Sequence, residues 1–261
     1  MAEIGIGLVG GGYMGKAHAV AFTAVGAVFD TALRPRLEMI AAGSASSAER
    51  YRAAYGFARA ARDWQELVAD PKVEAVVIAT PQALHREIAE AAFALGKPVF
   101  CEKPLGASLE DARAMVAAAE AAGVVNMSGF NYVRTPATQF ARKLVAEGAI
   151  GRITWFRGEH TEDFLADPAL PANWRTEGIA TGTMGDLAPH PINCALALMG
   201  PIAKVSAVVE TVHATRPGPD GPVAVTNDDH AQIMCRFASG VLGHIYVSRV
   251  AVSYTHLRAH E

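Results

Sequence analysis

Ile4-Gly5-Ile6-Gly7-Leu8-Val9-Gly10-Gly11-Gly12-Tyr13-Met14-Gly15 is an apolar run that ends in glycines and gives way to a helix-like stretch from Met14 to Val25. Strand, glycine turn, helix is the opening of a mononucleotide-binding unit. Gly10, Gly12 and Gly15 hold the G-x-G-x-x-G spacing. The first permits a tight turn, the second lets backbone approach a pyrophosphate, and the third lets helix and strand pack closely. A helix N-terminus there attracts phosphate. Gly10, Gly12, Tyr13, Met14 and Gly15 are therefore the expected dinucleotide contacts.

Outward from this turn the same alternation continues. After a Pro- and Arg-containing insertion at 29–36, Leu37 to Gly43 reads as a second strand and Ser47 to Tyr55 as the next helix. Asp63 is a plausible N-cap for a helix through Val68. Val73 to Ala79 is apolar enough for a strand covered on both faces, and Thr80-Pro81 stops it. A helix from Ala83 to Leu95 closed by Gly96, a strand from Pro98 to Cys101, and a helix from Leu109 to Ala122 between Ser108 and Gly123 complete the pattern. Strands alternating with helices of this length imply a doubly wound parallel sheet. Residues 1–127 are thus expected to form a Rossmann-type α/β domain.

From Ser128 the pattern changes. One helix, Pro136 to Glu147, precedes strand-like runs at Ile153 to Glu159, Ala203 to Val212, His230 to Phe237 and Val241 to Val250. Ala238-Ser239-Gly240 joins the last two as a hairpin. A loop rich in Pro, Asp and Gly and a helix near Asp186 to Met199 lie between the first two. Residues 128–251 are expected to form an α+β domain with a largely antiparallel sheet. Val252 to Glu261, "VSYTHLRAHE", has neither strand nor helix period and resembles the translation of a transposase sequencing adapter. It is read as a non-native tail, which leaves the second domain incomplete.

The chain has 261 residues and a formal net charge of −3, with no Lys/Arg run. That argues against a nucleic-acid or anionic-membrane partner and favours small neutral or polar ligands. The three cysteines, Cys101, Cys194 and Cys235, lie far apart, with no metal-ligand spacing. The amino terminus has no signal-peptide pattern and no apolar run reaches a membrane span, so a cytoplasmic location is expected.

An NAD reader would be an acid at the end of the second strand. Gly43-Ser44-Ala45-Ser46-Ser47-Ala48-Glu49-Arg50 has none there, whereas Ser44, Ser46 and Arg50 could receive a 2′-phosphate. NADP is favoured over NAD.

Three features converge: the glycine turn, Glu102-Lys103-Pro104 after the fifth strand, and "GTMGDLAPHPIN" at 182–193. Together they resemble the Gfo/Idh/MocA family over residues 4–251. The resemblance implies that Lys103 approaches both the nicotinamide and the reacting carbon. It places Asp186 and His190 in a D-x-x-x-H motif, at i, i+4 spacing that lets them share a helix face, with His190 transferring the proton and Asp186 as its carboxylate neighbour. Many relatives carry an aspartate where this chain has Asn193, a difference at a position that contacts substrate hydroxyls. The same resemblance places Thr80, Pro81 and His85 near the nicotinamide ribose, with Glu102 on the cofactor side. "GFNY" at 129–132, containing Asn131, and Trp174-Arg175 match substrate-pocket positions more weakly.

Physical reasoning runs parallel. Open α/β sheets bind ligands beyond the carboxyl ends of their strands, and Lys103 follows such an end. Pro104 keeps Lys103 out of the helical region, and its peptide bond is a candidate for cis. The function expected is hydride transfer between NAD(P) and a secondary alcohol or ketone of a sugar, polyol or related cyclic hydroxy compound. The alternatives are a glycosidase that oxidises its substrate transiently and a cofactor-binding sensor without chemistry. The resemblance also implies a homo-oligomer built through the second domain's sheet. His18 reads as a packing residue, His160, His213, His230 and His244 show no ligand spacing, and Asp228-Asp229 reads as a loop before a strand.

Overall fold

The computed structural model describes residues 2–251, and the reading of 252–261 as a non-native tail lies outside them. The chain divides between Gly129 and Phe130 into two compact units. In chain order the first contains β1 (Ala2–Val9), α1 (Tyr13–Val28), β2 (Leu33–Ala41), α2 (Ala45–Tyr55), β3 (Arg59–Ala60), α3 (Trp64–Ala69), β4 (Ala75–Ile78), α4 (His85–Ala94), β5 (Val99–Cys101), α5 (Leu109–Ala122) and β6 (Asn126–Ser128). All pairings are parallel and the strand order is β3-β2-β1-β4-β5-β6. The order reverses between β1 and β4, which opens a crevice at their carboxyl ends.

Burial follows the alternation of side chains along the strands. Val76 and Ile78 enter a core with Leu67, Ile88 and Met115, while the intervening Val77 joins Leu8, Ala19, Ile40 and Phe57 on the opposite face. This two-sided cover is why β4 reads as a continuous apolar run. Helix ends follow their caps: Asp63 accepts from Glu66 N, Ser108 accepts from Asp111 N, and Gly123 closes α5 at φ 63°.

Two expectations for this unit change. β2 begins at Leu33, so half of the presumed insertion is strand, with Pro35 opposite Ile4 of β1. Proline is tolerated there because β3 pairs only with Met39 and Ile40, leaving the other side of β2 without a partner at residue 35. The helix read from Ser47 begins earlier, at Ala45, and its cap is Ser44, whose Oγ accepts from Ser47 N.

The second unit contains α6 (Pro136–Ala146), β7 (Trp155–Thr161), α7 (Thr183–Asp186), α8 (Pro189–Met199), β8 (Ile202–Glu210), β9 (Thr215–Gly218), β10 (Gly221–Ala224), β11 (His230–Phe237) and β12 (Leu242–Ser248). Its main sheet has the order β7-β12-β11-β8, antiparallel except for the parallel β12–β7 pair. β11 buries every second residue, and Ile233, Cys235 and Phe237 pack with Leu187, Ala195, Ile245 and Val247.

The helix expected from Asp186 to Met199 is two. Pro189 has no N–H to donate back to Gly185, and His190 N donates to Leu187 O at 3.1 Å instead of continuing the ladder. Asp186 ends α7 while His190 belongs to α8, so their one-turn spacing is not that of a continuous helix. The β9–β10 hairpin was not anticipated, although Asp220-Gly221 is a turn signal and Gly221 has φ 127°.

Candidate active site

The glycine turn sits at the switch point. Gly10 N donates to Ala41 O, Ala79 N donates to Val9 O, and Tyr55 Oη donates to Gly11 O at 2.7 Å. Gly10 has φ +102°, and a β-carbon there would lie 2.3 Å from Ala79 O. One on Gly15 would lie 2.1 Å from Gly10 O. Both glycines are demanded by the protein itself. Gly12 is different: a β-carbon on it would meet nothing within 4 Å. It is the N-cap of α1, with no side-chain cap and no acidic residue in the first turn. The first N–H groups of a 16-residue helix thus face open space, an arrangement suited to a diphosphate. Met14 is half-buried and Tyr13 is exposed beside this opening. Thr80, at the carboxyl end of β4, has a buried Oγ1 without a hydrogen-bond partner among the described residues. A buried orphan hydroxyl at the strand end is a further feature that a polar ligand would satisfy.

The ribose end is mixed. Ser46 and Arg50 are exposed at the start of α2, and Arg50 lies 5.0 Å from the Tyr51 ring. Ser44 is occupied as the helix cap and with the hydroxyls of Ser46 and Ser47. No carboxylate ends β2, and the one acid within it, Glu38, is buried against Arg36 and Arg59.

Beyond β5 the Lys103-Pro104 bond is cis. Glu102 is buried; its Oε1 lies 2.7 Å from His18 Nε2, and its Oε2 accepts from Lys103 N at 3.2 Å. His18 therefore does more than pack. Cys101 just before it is pushed up to about 12 by burial and then by the charge of Glu102, which keeps it a thiol. His85, expected on the cofactor side, has backbone partners. It is 1% exposed, with Nδ1 facing Pro104 O and Leu105 O and Nε2 facing Thr80 O. Both ring nitrogens are turned to backbone carbonyls; the neutral imidazole donates through one of them and packs against the other loop. Pro81 is exposed beside it.

In the second unit His190 lines a cavity of about 440 Å³ with Tyr132, Phe156, Glu159, His160 and Cys194. Its ring stands edge-on to Tyr132 at 4.6 Å and 5.4 Å from the ring of His160. His160, dismissed on spacing, is brought there by β7, a tertiary effect without a local signal. Asn193 has a buried Oδ1 with no hydrogen-bond partner among the described residues. Asn131 is exposed at the start of the 3₁₀ turn that carries Tyr132.

Trp174 and Arg175 lie in a 3₁₀ turn capped by Asn173, with the guanidinium 4.1 Å over the half-exposed indole. A fully buried group absent from the sequence reading holds this segment. Arg249 Nε donates to Asp229 Oδ1 at 3.0 Å, Nη2 to Asn227 Oδ1 at 2.6 Å, and Nη1 to Arg175 O at 2.6 Å. Asn227 in turn donates to Arg175 O and Gly178 O, and Asp229 Oδ2 accepts from Val212 N and His213 N. Asp228-Asp229 is a loop, as read, and one of its two acids is the anchor of the unit. Asp228 accepts from Met184 N at the start of α7.

Among the described residues no group of three His, Cys, Asp or Glu could hold a metal ion, and no helix is long and apolar enough to cross a membrane.

The profile described as an oxidoreductase family with an NAD-binding Rossmann fold matches residues 4–130, and the Gfo/Idh/MocA C-terminal domain matches residues 138–260. The chain is 40% identical to levoglucosan dehydrogenase of Pseudarthrobacter phenanthrenivorans, covering 96% of this chain and 69% of that one. It is 33% identical to D-apiose dehydrogenase of Paraburkholderia graminis, covering 82% of this chain and 55% of that one. Among solved structures, levoglucosan dehydrogenase in complex with NADH and L-sorbose superposes with a TM-score of 0.93 at 40% identity, covering 96% of this chain and 68% of that one. An NAD-binding oxidoreductase from Klebsiella pneumoniae gives 0.92 at 41% identity, covering 97% and 68%. With two profiles side by side along the chain and a 40% identical relative across nearly all of it, the chain belongs to the Gfo/Idh/MocA family of oxidoreductases.

Proposed function

We propose that this protein is an NAD(P)-dependent oxidoreductase acting between a secondary alcohol and a ketone of a sugar, polyol or related cyclic hydroxy compound. The observation that carries this is the opening at Gly12, just past β1: space before an uncapped helix, with Lys103 just past β5, two strands along the same sheet. Gly12, Met14, Gly15 and Thr80 would hold the dinucleotide, with Tyr13, Pro81 and Glu102 around it. The substrate class is supported by relatives named for levoglucosan, D-apiose and D-xylose.

The bound nicotinamide supplies the site for hydride. The chain's own residues handle the proton. Lys103 hydrogen-bonds the reacting hydroxyl, His190 accepts the proton as the carbonyl forms, and Asp186 orients the imidazole. General acid–base assistance of this kind is typically worth about a hundred- to ten-thousandfold. Asn131, Trp174, Arg175 and Asn193 are assigned to the substrate: the indole offers an apolar face to a sugar ring, and Asn193 Oδ1 is an acceptor without a partner among the described residues. The missing carboxylate at the end of β2 and the exposed Arg50 support NADP. A 40% identical relative solved with NADH supports NAD, so both cofactors belong in the assay.

The experiment is a screen of anhydrosugars, aldoses and inositols with NAD+ and NADP+, followed at the nicotinamide absorbance. Stoichiometric reduction with one of them is expected, and Lys103→Ala should abolish it while cofactor affinity stays within about threefold. Wild-type turnover in that variant would remove Lys103 from the chemistry. Aglycone release without net absorbance change would mark a glycosidase, and cofactor binding with no turnover a sensor.

A further inference from the structure

Lys103 is itself half-exposed, yet both of its neighbours in the chain are held by buried contacts from other elements. On the α1 side His18 sets Glu102: Nε2 lies 2.7 Å from Oε1, and the imidazole stands edge-on to Phe100 at 4.9 Å. The other carboxylate oxygen accepts the N–H of Lys103. The Glu102 carboxyl lies close against Gly129, where an added β-carbon would come within 3.0 Å of its carboxyl carbon.

On the far side, His85 of α4 faces Pro104 O at 3.1 Å and Leu105 O at 3.3 Å through one nitrogen, and Thr80 O at 3.0 Å through the other. In the Nδ1–H tautomer the imidazole donates to the carbonyls that follow Lys103, while its other edge packs against the end of β4. Buried hydrogen bonds of this kind cost about 1–3 kcal/mol to leave unmade, so the backbone on each side of Lys103 has one preferred position. Two histidines from different helices grip the residues before and after a single lysine.

We propose that His18 and His85 are positioning residues for Lys103: they fix the turn from which its amine acts without touching substrate themselves. This rests on the reading of Lys103 given above. An amine displaced by about 1 Å loses on the order of a hundredfold in rate, so the grip has a kinetic consequence beyond stability.

The test uses the full chain with His18→Ala, His18→Gln, His85→Ala and His85→Gln, beside Lys103→Ala. Turnover is measured together with cofactor affinity and amide hydrogen exchange across 102–106. The alanine variants should lower kcat by at least about tenfold with cofactor affinity within about threefold. Exchange should rise at 103–106 while α4 and α5 stay protected, and glutamine at 18, which keeps a donor for Glu102, should recover part of kcat. Wild-type kcat in the His18 variants, and in whichever His85 variants fold, with Lys103→Ala inactive, would overturn the proposal; so would faster exchange spread through the whole unit. If Lys103→Ala keeps its turnover, the reading of Lys103 fails, and unchanged exchange at 103–106 would separately refute the grip.

Discussion

Replacing Gly12 by alanine separates what the fold requires from what a ligand requires. The backbone at Gly12 is extended, φ −69° and ψ −158°, and a methyl there meets nothing within 4 Å. Alanine is a poorer N-cap than glycine, but it also restricts the unfolded chain, so the net change in stability is within about 1 kcal/mol. The methyl does occupy the space in front of the first N–H groups of α1. Holding a phosphate oxygen away from one such charge-assisted hydrogen bond costs about 1.5–3 kcal/mol, or roughly ten- to a hundredfold in Kd. Gly15→Ala should do the reverse first: its β-carbon lies 2.1 Å from Gly10 O, so α1 must shift from β1 at a stability cost of about 1–3 kcal/mol. At this chain length that lowers Tm by about 2–4 °C per kcal/mol. Thermal melts of the free protein and titrations with NADH and NADPH measure both effects. A Gly12→Ala protein that binds the dinucleotide as tightly as the parent would refute the placement of the diphosphate, and a Gly15→Ala protein with the parental Tm would refute the packing argument.

Asp229→Ala strands the buried guanidinium of Arg249 and the N–H groups of Val212 and His213. An uncompensated buried charge costs about 3–5 kcal/mol, readable by urea unfolding; adding Arg249→Met should recover part, and a loss below about 1 kcal/mol would contradict the assignment. Asp70 is lowered to about 2, chiefly by its hydrogen bonds from Arg59. Its folded value lies below the ordinary 3.8, so its contribution is complete above pH 4 and is lost as pH falls from there towards 2. At a partly exposed pair this is about 1 kcal/mol, and Asp70→Asn should flatten that part of an acid stability titration. Cys101, held up to about 12, should resist iodoacetamide at pH 8 until the protein is unfolded; native-state labelling would show that the thiol is not buried.

The first unit was legible because its signals are local: period-2 burial, side-chain caps and C-terminal glycines each act within a few residues. β2 was clipped because Pro35 and its flanking arginines look like an insertion until the vacant side of the strand is known. The break between α7 and α8 was written in Pro189 but masked by the attraction of the D-x-x-x-H spacing. His85 fits a motif, and only its three carbonyl neighbours reveal that it packs between two loops. Arg249, Asp229 and Asn227 meet across loops around 20 residues apart, and His160 reaches His190 through a strand pairing; no periodicity encodes either.

The parallel union of β7 with β12 has a kinetic side. β7 cannot join its ladder until β12 exists, and residues 162–241 lie between them in the chain. Closing so long a loop is an entropic toll met before any contact compensates it, which slows folding. During ribosomal synthesis the nucleotide-binding half completes its neighbour-to-neighbour crossovers early. The strand bearing His160 waits, unpaired, until β12 has been made.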